Sequence, residues 1–347
     1  MEVSQVSGRN QHHFWQVLQR GFGTERKTDF TTVFVYQKEK IPFPVGTRNF
    51  GGERDFFDFK PGSGADALIT KTEGELQGLV KYFQTGGPVT DEKIETIASL
   101  IAHLEIRTKF IRQHPAEIVS ETLAELSSWF SSPEVLKSMT RKYAANNPKE
   151  IDAILLPHIG DPETRAAAVK FFIENSGQLD VALFAPGSDE ARQSSNTVSG
   201  NMTDIAKEAH IRAILNAPSE SARRSRYLDL RYQLKSGFGG NLICPDTMVA
   251  FLTDHTTKPF LDKGDRLEAV WIPLNADLLL IGETSTPMER SIQSTLRILA
   301  STSYSAFIAK SDSPDLRRLT SRVGKNASML RPAAISSIMR NLLADLI

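Results

Sequence analysis

Residues 31–36 read Thr-Thr-Val-Phe-Val-Tyr, a run of β-branched and aromatic side chains near the N-terminus. Side chains of this kind favour an extended strand, because they pack well on a pleated surface. A second strand-like run occupies residues 304–309, near the other end of the chain. The simplest packing pairs these terminal strands in one sheet and covers the sheet with a layer of helices. The sheet is predicted to be mixed or antiparallel, since the middle of the chain is not a repeated βαβ unit.

Helical patterns dominate the middle of the chain, from about residue 66 to about residue 232. One helix is expected over 69–83, because Gly86-Gly87-Pro88 follows and ends it, and Thr90 can cap the next one. Further helix starts place a capping side chain before a proline, and they are Ser132-Pro133, Asn147-Pro148 and Asp161-Pro162.

The hydrophobic pattern of the sequence changes after Gly237, where short apolar runs are separated by turns. Such runs predict strands, and they lie at 242–243, 249–253, 269–273 and 278–281. A late helix is expected to open with Thr286 as its cap and Glu289 reaching back. The predicted fold class is therefore α+β, mainly helical, with a small sheet built from N-terminal and C-terminal strands.

The chain of 347 residues is predicted to form one domain over 1–347. A stretch rich in Ser, Asn and Gly at 185–200 is expected to be a mobile loop. Residues 325–347 are expected to form a helical C-terminal tail, because their apolar positions follow an amphipathic pattern.

Charge and cysteine content exclude several classes of protein. Lys plus Arg and Asp plus Glu each number 41, so no global field attracts DNA, RNA or acidic lipid, and nucleic-acid binding is possible but unsupported by charge. The single cysteine, Cys244, excludes internal disulfides and zinc fingers. The first ten residues are polar, and no apolar run approaches the roughly 18 residues of a membrane span, so a cytoplasmic protein with no membrane partner is expected.

The N-terminal segment carries a candidate site for an anion. A helix is predicted over 10–22, which would place His12, Gln16 and Arg20 in one polar stripe at successive i, i+4 positions. An imidazole, an amide and a guanidinium in line can hold a phosphate or a carboxylate. The alternative is a polar helix face that ties down neighbouring loops.

Arg107 follows Leu104 and Leu100 at helical spacing, which puts a guanidinium on or beside an apolar stripe. A buried guanidinium needs a carboxylate, because an unpaired buried charge costs several kcal/mol. Glu73 and Asp246 are the candidate partners. Arg107 is then either half of a structural ion pair or a substrate ligand beside a catalytic carboxylate.

Oxygen and nitrogen ligands recur around the later strands. Asp246, Asp254 and His255, joined by Glu73 and His12, could make a site for Mg²⁺ or Mn²⁺ that positions water against a phosphodiester. The alternative is that these Asp residues accept hydrogen bonds from their own turns.

A separate basic cluster comprises Arg223-Arg224-Ser225-Arg226 and Arg231, and Asp229 interrupts it. Such a cluster could bind nucleic acid, but it is also typical of a solvated helix face.

Several motifs resemble an uncharacterised, mostly bacterial family known as domain of unknown function 4238. The opening signature is matched by Gln11, His12, Gln16, Arg20 and Phe22, with Trp15 where the family has Pro. Looser matches follow in order, and they are 33–36, 53–57, Glu73, Arg107, 246–249 and 271–274. Glu73 matches a recurring Glu of the family, and Arg107 matches an Arg-Thr helix. The family's Ser-Asp-Asn-Pro-Val motif is degraded here to Pro245-Asp246-Thr247-Met248-Val249. The resemblance spans about 10–310 and implies no specific activity.

These observations together lead to two functional predictions. The first is a hydrolase of phosphodiester or nucleic-acid substrates, possibly assisted by Mg²⁺ or Mn²⁺. Its catalytic residues would be His12, Glu73 and Asp246, and its substrate-binding residues would be Gln16, Arg20 and Arg107. The second is a non-catalytic interaction or regulatory protein, in which the same polar side chains form a structural network. The first requires these residues to meet in one cleft, whereas the second requires them to be buried without one.

Overall fold

A computed structural model describes most of the chain, in segments separated by gaps. The described residues are 10–27, 30–57, 64–130, 138, 141–142, 145–157, 159–175, 204–216, 221–254, 256–262, 264–284 and 290–328. The residues group into two compact units. The first comprises Met1–Pro115 with Ile205–Met329, and the second comprises Ala116–Asp204 with Leu330–Ile347. The two units are therefore described one at a time.

Strands occur near both ends of the chain, with helices between them. The strands are β1 (Asn10–His12), β2 (Thr24–Lys27), β3 (Phe30–Gln37), β4 (Phe43–Gly46), β5 (Gly52–Arg54), β6 (Arg231–Lys235), β7 (Cys244–Pro245), β8 (Ala250–Thr253), β9 (Thr256–Lys258), β10 (Leu267–Asn275), β11 (Leu278–Glu283) and β12 (Ala306–Ala309). The helices are α1 (Gln16–Gly21), α2 (Ala65–Gln84), α3 (Ile94–Ile106), α4 (Lys109–Phe130), α5 (Pro148–Leu155), α6 (Pro162–Asn175), α7 (204–216), α8 (Ser221–Leu228), α9 (Ile292–Thr302) and α10 (Pro314–Leu319). The α+β fold class is confirmed.

The first unit contains the sheet that joins the two ends of the chain, which we call the terminal sheet. Its strand order is β2-β3-β12-β7, and β4 pairs with β3. All of these pairs are antiparallel, and Ile308 of β12 lies opposite both Val35 and Cys244. The stacked rings of Tyr36 and Phe307, with centroids 4.8 Å apart, reinforce the β3–β12 pair. The predicted pairing of N-terminal with C-terminal strands is confirmed.

A second antiparallel sheet, which we call the central sheet, has the strand order β6-β11-β10-β8-β9. Its long strand β10 is buried along most of its length, from Ala269 to Leu274. Both sheets therefore contribute to one large hydrophobic core, which also receives the apolar faces of α1, α2 and α3. A smaller cluster around Phe56, Phe57 and Ile69 lies beside that core.

The second unit is helical in its described part. Helix α5 begins at Pro148 after Asn147, and α6 begins at Pro162 after Asp161, as the sequence predicts. The Asp161 carboxylate accepts hydrogen bonds from the hydroxyl of Thr164 and, at 2.8 Å, from its backbone N–H, and these bonds lower the pKa of Asp161.

Three local predictions for the first unit need correction. Residues 10–12 form strand β1, which pairs with β5, so the helix predicted over 10–22 is confined to α1. The C-terminal strands form a full five-stranded sheet of their own in addition to joining the terminal sheet. Helix α9 begins at Ile292, and its cap is Ser291, whose hydroxyl accepts from the N–H of Ser294.

Other predictions lie outside the described residues, namely the loop at 185–200, the cap formed by Thr286 and Glu289, the start at Ser132-Pro133, and residues 329–347 of the expected tail. The described part of that tail, 325–328, is not helical. None of the described helices combines the length and the apolar run that crossing a bilayer requires.

Candidate functional site

One cleft in the first unit collects five of the six side chains that the sequence singles out. It has a volume of about 330 Å³ and is bounded by β1, α1, α2 and the end of α3. The predicted residues in its lining are His12, Gln16, Arg20, Glu73 and Arg107. Its remaining lining residues are Asn10, Gln11, Trp15, Val17, Phe57, Asp66, Ile69, Thr70 and Gln77. Side chains that are distant in sequence therefore meet at one place.

Helix α2 forms one wall of the cleft. Asp66, Thr70, Glu73 and Gln77 all line it, and they are spaced by three or four residues. That spacing puts them on one face of a helix. Of these four side chains only Glu73 is among the predicted site residues, although the same helical spacing extended in both directions from Glu73 leads to the other three.

Arg107 links two walls of the cleft. It is the C-cap of α3, it is 1% exposed, and its Nη1 donates to the Glu73 carboxylate on α2. Its Nη2 donates to the backbone carbonyl of His12 on β1. Of the two carboxylates predicted as partners, Glu73 is therefore the one that meets Arg107.

The buried Arg107 guanidinium has one unused donor. Its Nε has no hydrogen-bond partner among the described residues. Burial lowers the pKa of Arg107, and the negative charge of Asp66 acts in the opposite direction. A guanidinium stays protonated in proteins, so Arg107 adds a fixed positive charge to the cleft lining, and its unused Nε–H is itself buried.

His12 lies at the centre of the polar stripe, although it belongs to a strand. Its Nε2 is 2.9 Å from the amide nitrogen of Gln16 and 3.2 Å from the carbonyl oxygen of Arg48. Gln16 Oε1 in turn accepts a 3.5 Å bond from Arg20, so the predicted line of imidazole, amide and guanidinium is formed. The strand ends at His12 and the helix begins at Gln16, so a bend in the chain brings the two side chains together.

The environment of His12 favours its neutral form. Burial lowers the pKa of His12, the hydrogen bond with the Arg48 carbonyl raises it, and the charge of Arg107 lowers it. A neutral imidazole can accept a proton, which is the property that a general base requires.

Two glycines allow the backbone of the β5 segment to approach the N-terminal segment closely. A Cβ on Gly52, which pairs with His12 in the β1–β5 ladder, would lie 3.2 Å from His12 Nε2. Gly51 has a positive φ of 69°, and a Cβ there would come within 2.4 Å of the Phe14 side chain. Gly52 therefore leaves room for the His12 imidazole, and Gly51 leaves room for the Phe14 side chain.

Asp246 is the predicted catalytic residue that does not line the cleft. Its Oδ1 accepts from the N–H of Tyr304 at 2.7 Å, and its Oδ2 accepts from the N–H groups of Ser305 and Ala306 at 2.8 and 3.0 Å. The Ser305 hydroxyl adds a fourth bond at 2.7 Å. Burial raises the pKa of Asp246, while these bonds lower it. The carboxylate thus fixes the start of β12. The prediction that Asp246 shares a site with His12 and Arg107 is therefore wrong.

The proposed metal ligands do not come together either. Asp254 is an exposed residue in the turn between β8 and β9, with a φ of 44°, and His255 lies outside the described residues. Within the described segments, no group of three or more His, Cys, Asp or Glu side chains could hold a metal ion.

Half of the basic cluster is solvated, since Arg224 and Arg231 are exposed, and its other two arginines bind internal groups. Arg223 pairs with the fully buried Glu105 at 2.8 Å, and Tyr227 donates to the same carboxylate at 2.7 Å. Arg226 donates to the backbone carbonyls of Asp262 and Asp265. Two of its four guanidinium groups, those of Arg223 and Arg226, thus face internal acceptors, which reduces what the cluster can offer to a nucleic acid.

Three buried histidines are not among the predicted site residues. His13, His103 and His210 have pKa values lowered to about 3, 4 and 4, with burial as the main cause in each. His13 and His210 pack against the Phe56 ring, and His103 contacts Arg107 at 3.2 Å. A histidine on an apolar helix face, such as His103, is the sequence signal that could have identified one of them.

Comparisons with family models, with curated proteins and with solved structures return no match to this chain.

Proposed function

We propose that this chain is a hydrolase of phosphodiester substrates and that the cleft between β1, α1 and α2 is its active site. His12 is the general base, Arg20 and Arg107 bind the phosphoryl oxygens, and Gln16 orients the imidazole. Glu73 is a positioning residue, because its carboxylate is engaged by Arg107.

The observation that carries the proposal is the buried, unused N–H of Arg107 in a cleft that also contains His12 and Arg20. A buried donor without an acceptor costs about 1–3 kcal/mol, so it is best explained by an acceptor that a ligand brings. Guanidinium groups match phosphate oxygens in geometry and charge. A purely structural network would leave no cleft beside these side chains.

The proposed reaction needs one proton carrier. His12 removes a proton from a water molecule, and the water oxygen attacks phosphorus. The ester P–O bond breaks, and the leaving alkoxide receives the proton from His12. The guanidinium groups of Arg20 and Arg107 stabilise the charge that develops on the phosphoryl oxygens. Assistance by Mg²⁺ or Mn²⁺ stays a prediction, and the described residues supply no ready ligand group.

The test is hydrolysis of bis(4-nitrophenyl) phosphate and of single-stranded and double-stranded nucleic acids, each with EDTA, Mg²⁺ or Mn²⁺. We expect His12→Ala to lower kcat by about 100-fold or more, as loss of a general base does. Arg20→Ala should chiefly raise KM, because its exposed guanidinium contributes to binding.

A matched control is Arg318→Ala, which removes a guanidinium of similar exposure outside the cleft. This variant should keep the activity of the parent protein. Thermal unfolding of each variant separates loss of chemistry from loss of fold. The proposal fails if the parent protein hydrolyses none of these substrates, or if His12→Ala retains full activity.

The second candidate function is a non-catalytic binding protein, and the observation in its favour is Asp246. The carboxylate that the hydrolase prediction needed is fully used by backbone and hydroxyl donors around β12. Under this alternative, the cleft binds a phosphate ester without turnover. Binding of a phosphodiester that weakens in Arg20→Ala, with no hydrolysis under any metal condition, would support it.

Membership of the domain of unknown function 4238 family is also a proposal. Its support is that the matched residues Gln11, His12, Gln16, Arg20, Glu73 and Arg107 all line one cleft. Motifs that are scattered in sequence and meet in space are typical of a shared site.

A further inference from the structure

A second pocket of about 340 Å³ lies in the first unit, away from the residues of the cleft. Three separate segments form it: the turn after β3, the start of β12 and the turn after α10. Its lining residues are Lys38, Tyr304, Ser305, Ser321, Val323, Gly324 and Lys325. We propose that this pocket binds the phosphate group of a phosphorylated small molecule.

The charge of the lining carries the proposal. Lys38 and Lys325 bring two ammonium groups, and none of the seven lining residues is acidic. Neither lysine forms an ion pair or a side-chain hydrogen bond with any described residue. Each ammonium group offers three donors, so the pair can hold several oxygens of one anion. Two cations facing one cavity match a phosphate monoester, which carries nearly two negative charges at neutral pH, better than a carboxylate.

The acidic groups in the neighbourhood do not cancel this charge. Glu39 follows Lys38 in the turn but does not line the pocket. The Asp246 carboxylate contacts Ser305 in the wall, but it is buried and accepts three backbone N–H bonds besides the one from the serine hydroxyl. Its negative charge is therefore balanced by donors from within the protein.

The pocket is held in shape without a ligand. Gly324 has a φ of 81°, which favours glycine, and its N–H donates to Ser303 at 2.8 Å. The N–H of Asn326 donates to Ser301 at 2.8 Å, so backbone bonds on both sides of Lys325 tie its turn to the end of α9. A preformed turn lowers the entropic cost of binding, because less of the chain must become ordered.

The test is calorimetric titration at constant ionic strength with inorganic phosphate and, separately, with glycerol 3-phosphate. We expect saturable binding of at least one probe, and binding at least about 10-fold weaker in Lys38→Ala and in Lys325→Ala. Lys40→Ala is the matched control, because Lys40 lies in the same turn and does not line the pocket. Tighter binding of glycerol 3-phosphate would identify the ester, and equal binding would identify the phosphate group alone.

Three results would overturn the proposal: no saturable binding of either probe, binding that is unchanged in both lysine variants, or an equal loss in Lys40→Ala. The Arg20→Ala variant separates this pocket from the cleft. If Arg20→Ala abolishes phosphate binding and the lysine variants do not, the pocket proposal fails and the cleft remains the binding site. If the lysine variants weaken binding and Arg20→Ala does not, the pocket proposal is supported, whether or not the protein is a hydrolase.

Discussion

Asp246 shows how one carboxylate can be occupied entirely by its own protein. Three backbone N–H groups and one hydroxyl donate to its two oxygens, all at 3.0 Å or less. These donors lie at the start of β12, where the chain turns from α9 into the terminal sheet. A buried N–H without an acceptor is costly, so Asp246 is an essential part of that turn.

Asp246→Ala is therefore expected to destabilise the protein by about 2–4 kcal/mol, because it leaves the buried N–H of Ala306 and the partly buried N–H groups of Tyr304 and Ser305 without their acceptor. The measurement is the free energy of unfolding in urea. Ser305→Ala removes only one of the four bonds and should cost about 1 kcal/mol. A catalytic role for Asp246 would give the opposite pattern, with activity lost and stability retained.

Arg107 shows what can be predicted at the residue scale. A guanidinium at an apolar helix position has to find a carboxylate, and Arg107 does so with Glu73. The sequence does not distinguish Glu73 from Asp246 as the partner, because the choice depends on which helix lies alongside. The backbone donors that satisfy Asp246 are equally invisible in a sequence, since they come from residues 304–306.

At the scale of elements, β12 is the strand that joins the two ends of the chain. Ile308 is fully buried at its centre, with Val35 on one side and Cys244 on the other. The terminal sheet therefore forms only when residues far apart in sequence have met, and its stability depends on packing along this strand.

Ile308→Ala should lower the free energy of unfolding by about 2–5 kcal/mol, since it removes buried methylene and methyl groups and leaves a cavity. The matched control is Ile41→Ala, because Ile41 is 82% exposed and should change stability by less than about 0.5 kcal/mol. Urea unfolding of both variants provides the comparison. Equal effects would mean that the β12 strand is not packed as described.

Elements with strong local signals are the ones that the sequence predicts well. Helix α2 has an apolar stripe and a glycine-rich stop, and β3 has a β-branched run, so both are found near their predicted bounds. Strand β1 falls within a predicted helix. It is a strand because it pairs with the distant β5, and no local pattern in the sequence reveals that pairing. Ser291 caps α9 without a proline after it and without a Glu or Gln three residues later, so its signal in the sequence is weak.

For the whole molecule, the buried histidines link stability to pH. His13, His103 and His210 have folded-state pKa values of about 3, 4 and 4, below the ordinary value of 6.5. Below about pH 6.5 these three histidines bind protons in the unfolded chain but stay neutral in the folded chain. The stabilising contribution is therefore present above that pH and is lost as the pH falls.

We expect the free energy of unfolding to fall by about 1.4 kcal/mol per pH unit for each of these histidines between about pH 6 and pH 5. Urea unfolding at several pH values measures the slope. His210→Gln retains a donor for the Ile106 carbonyl, which His210 Nε2 meets at 2.6 Å, and should reduce the slope by one proton. A stability that stays level across this range would contradict the burial of the three imidazoles.

Cys244 gives the protein an internal reporter of its own opening. The thiol is fully buried in β7, beside Ile308, and burial raises its pKa well above the ordinary value. No other cysteine exists in the chain to compete for a reagent. The rate at which a disulfide reagent modifies the native protein therefore reports how often the pairing of β7 with β12 opens. No label has to be introduced for this measurement.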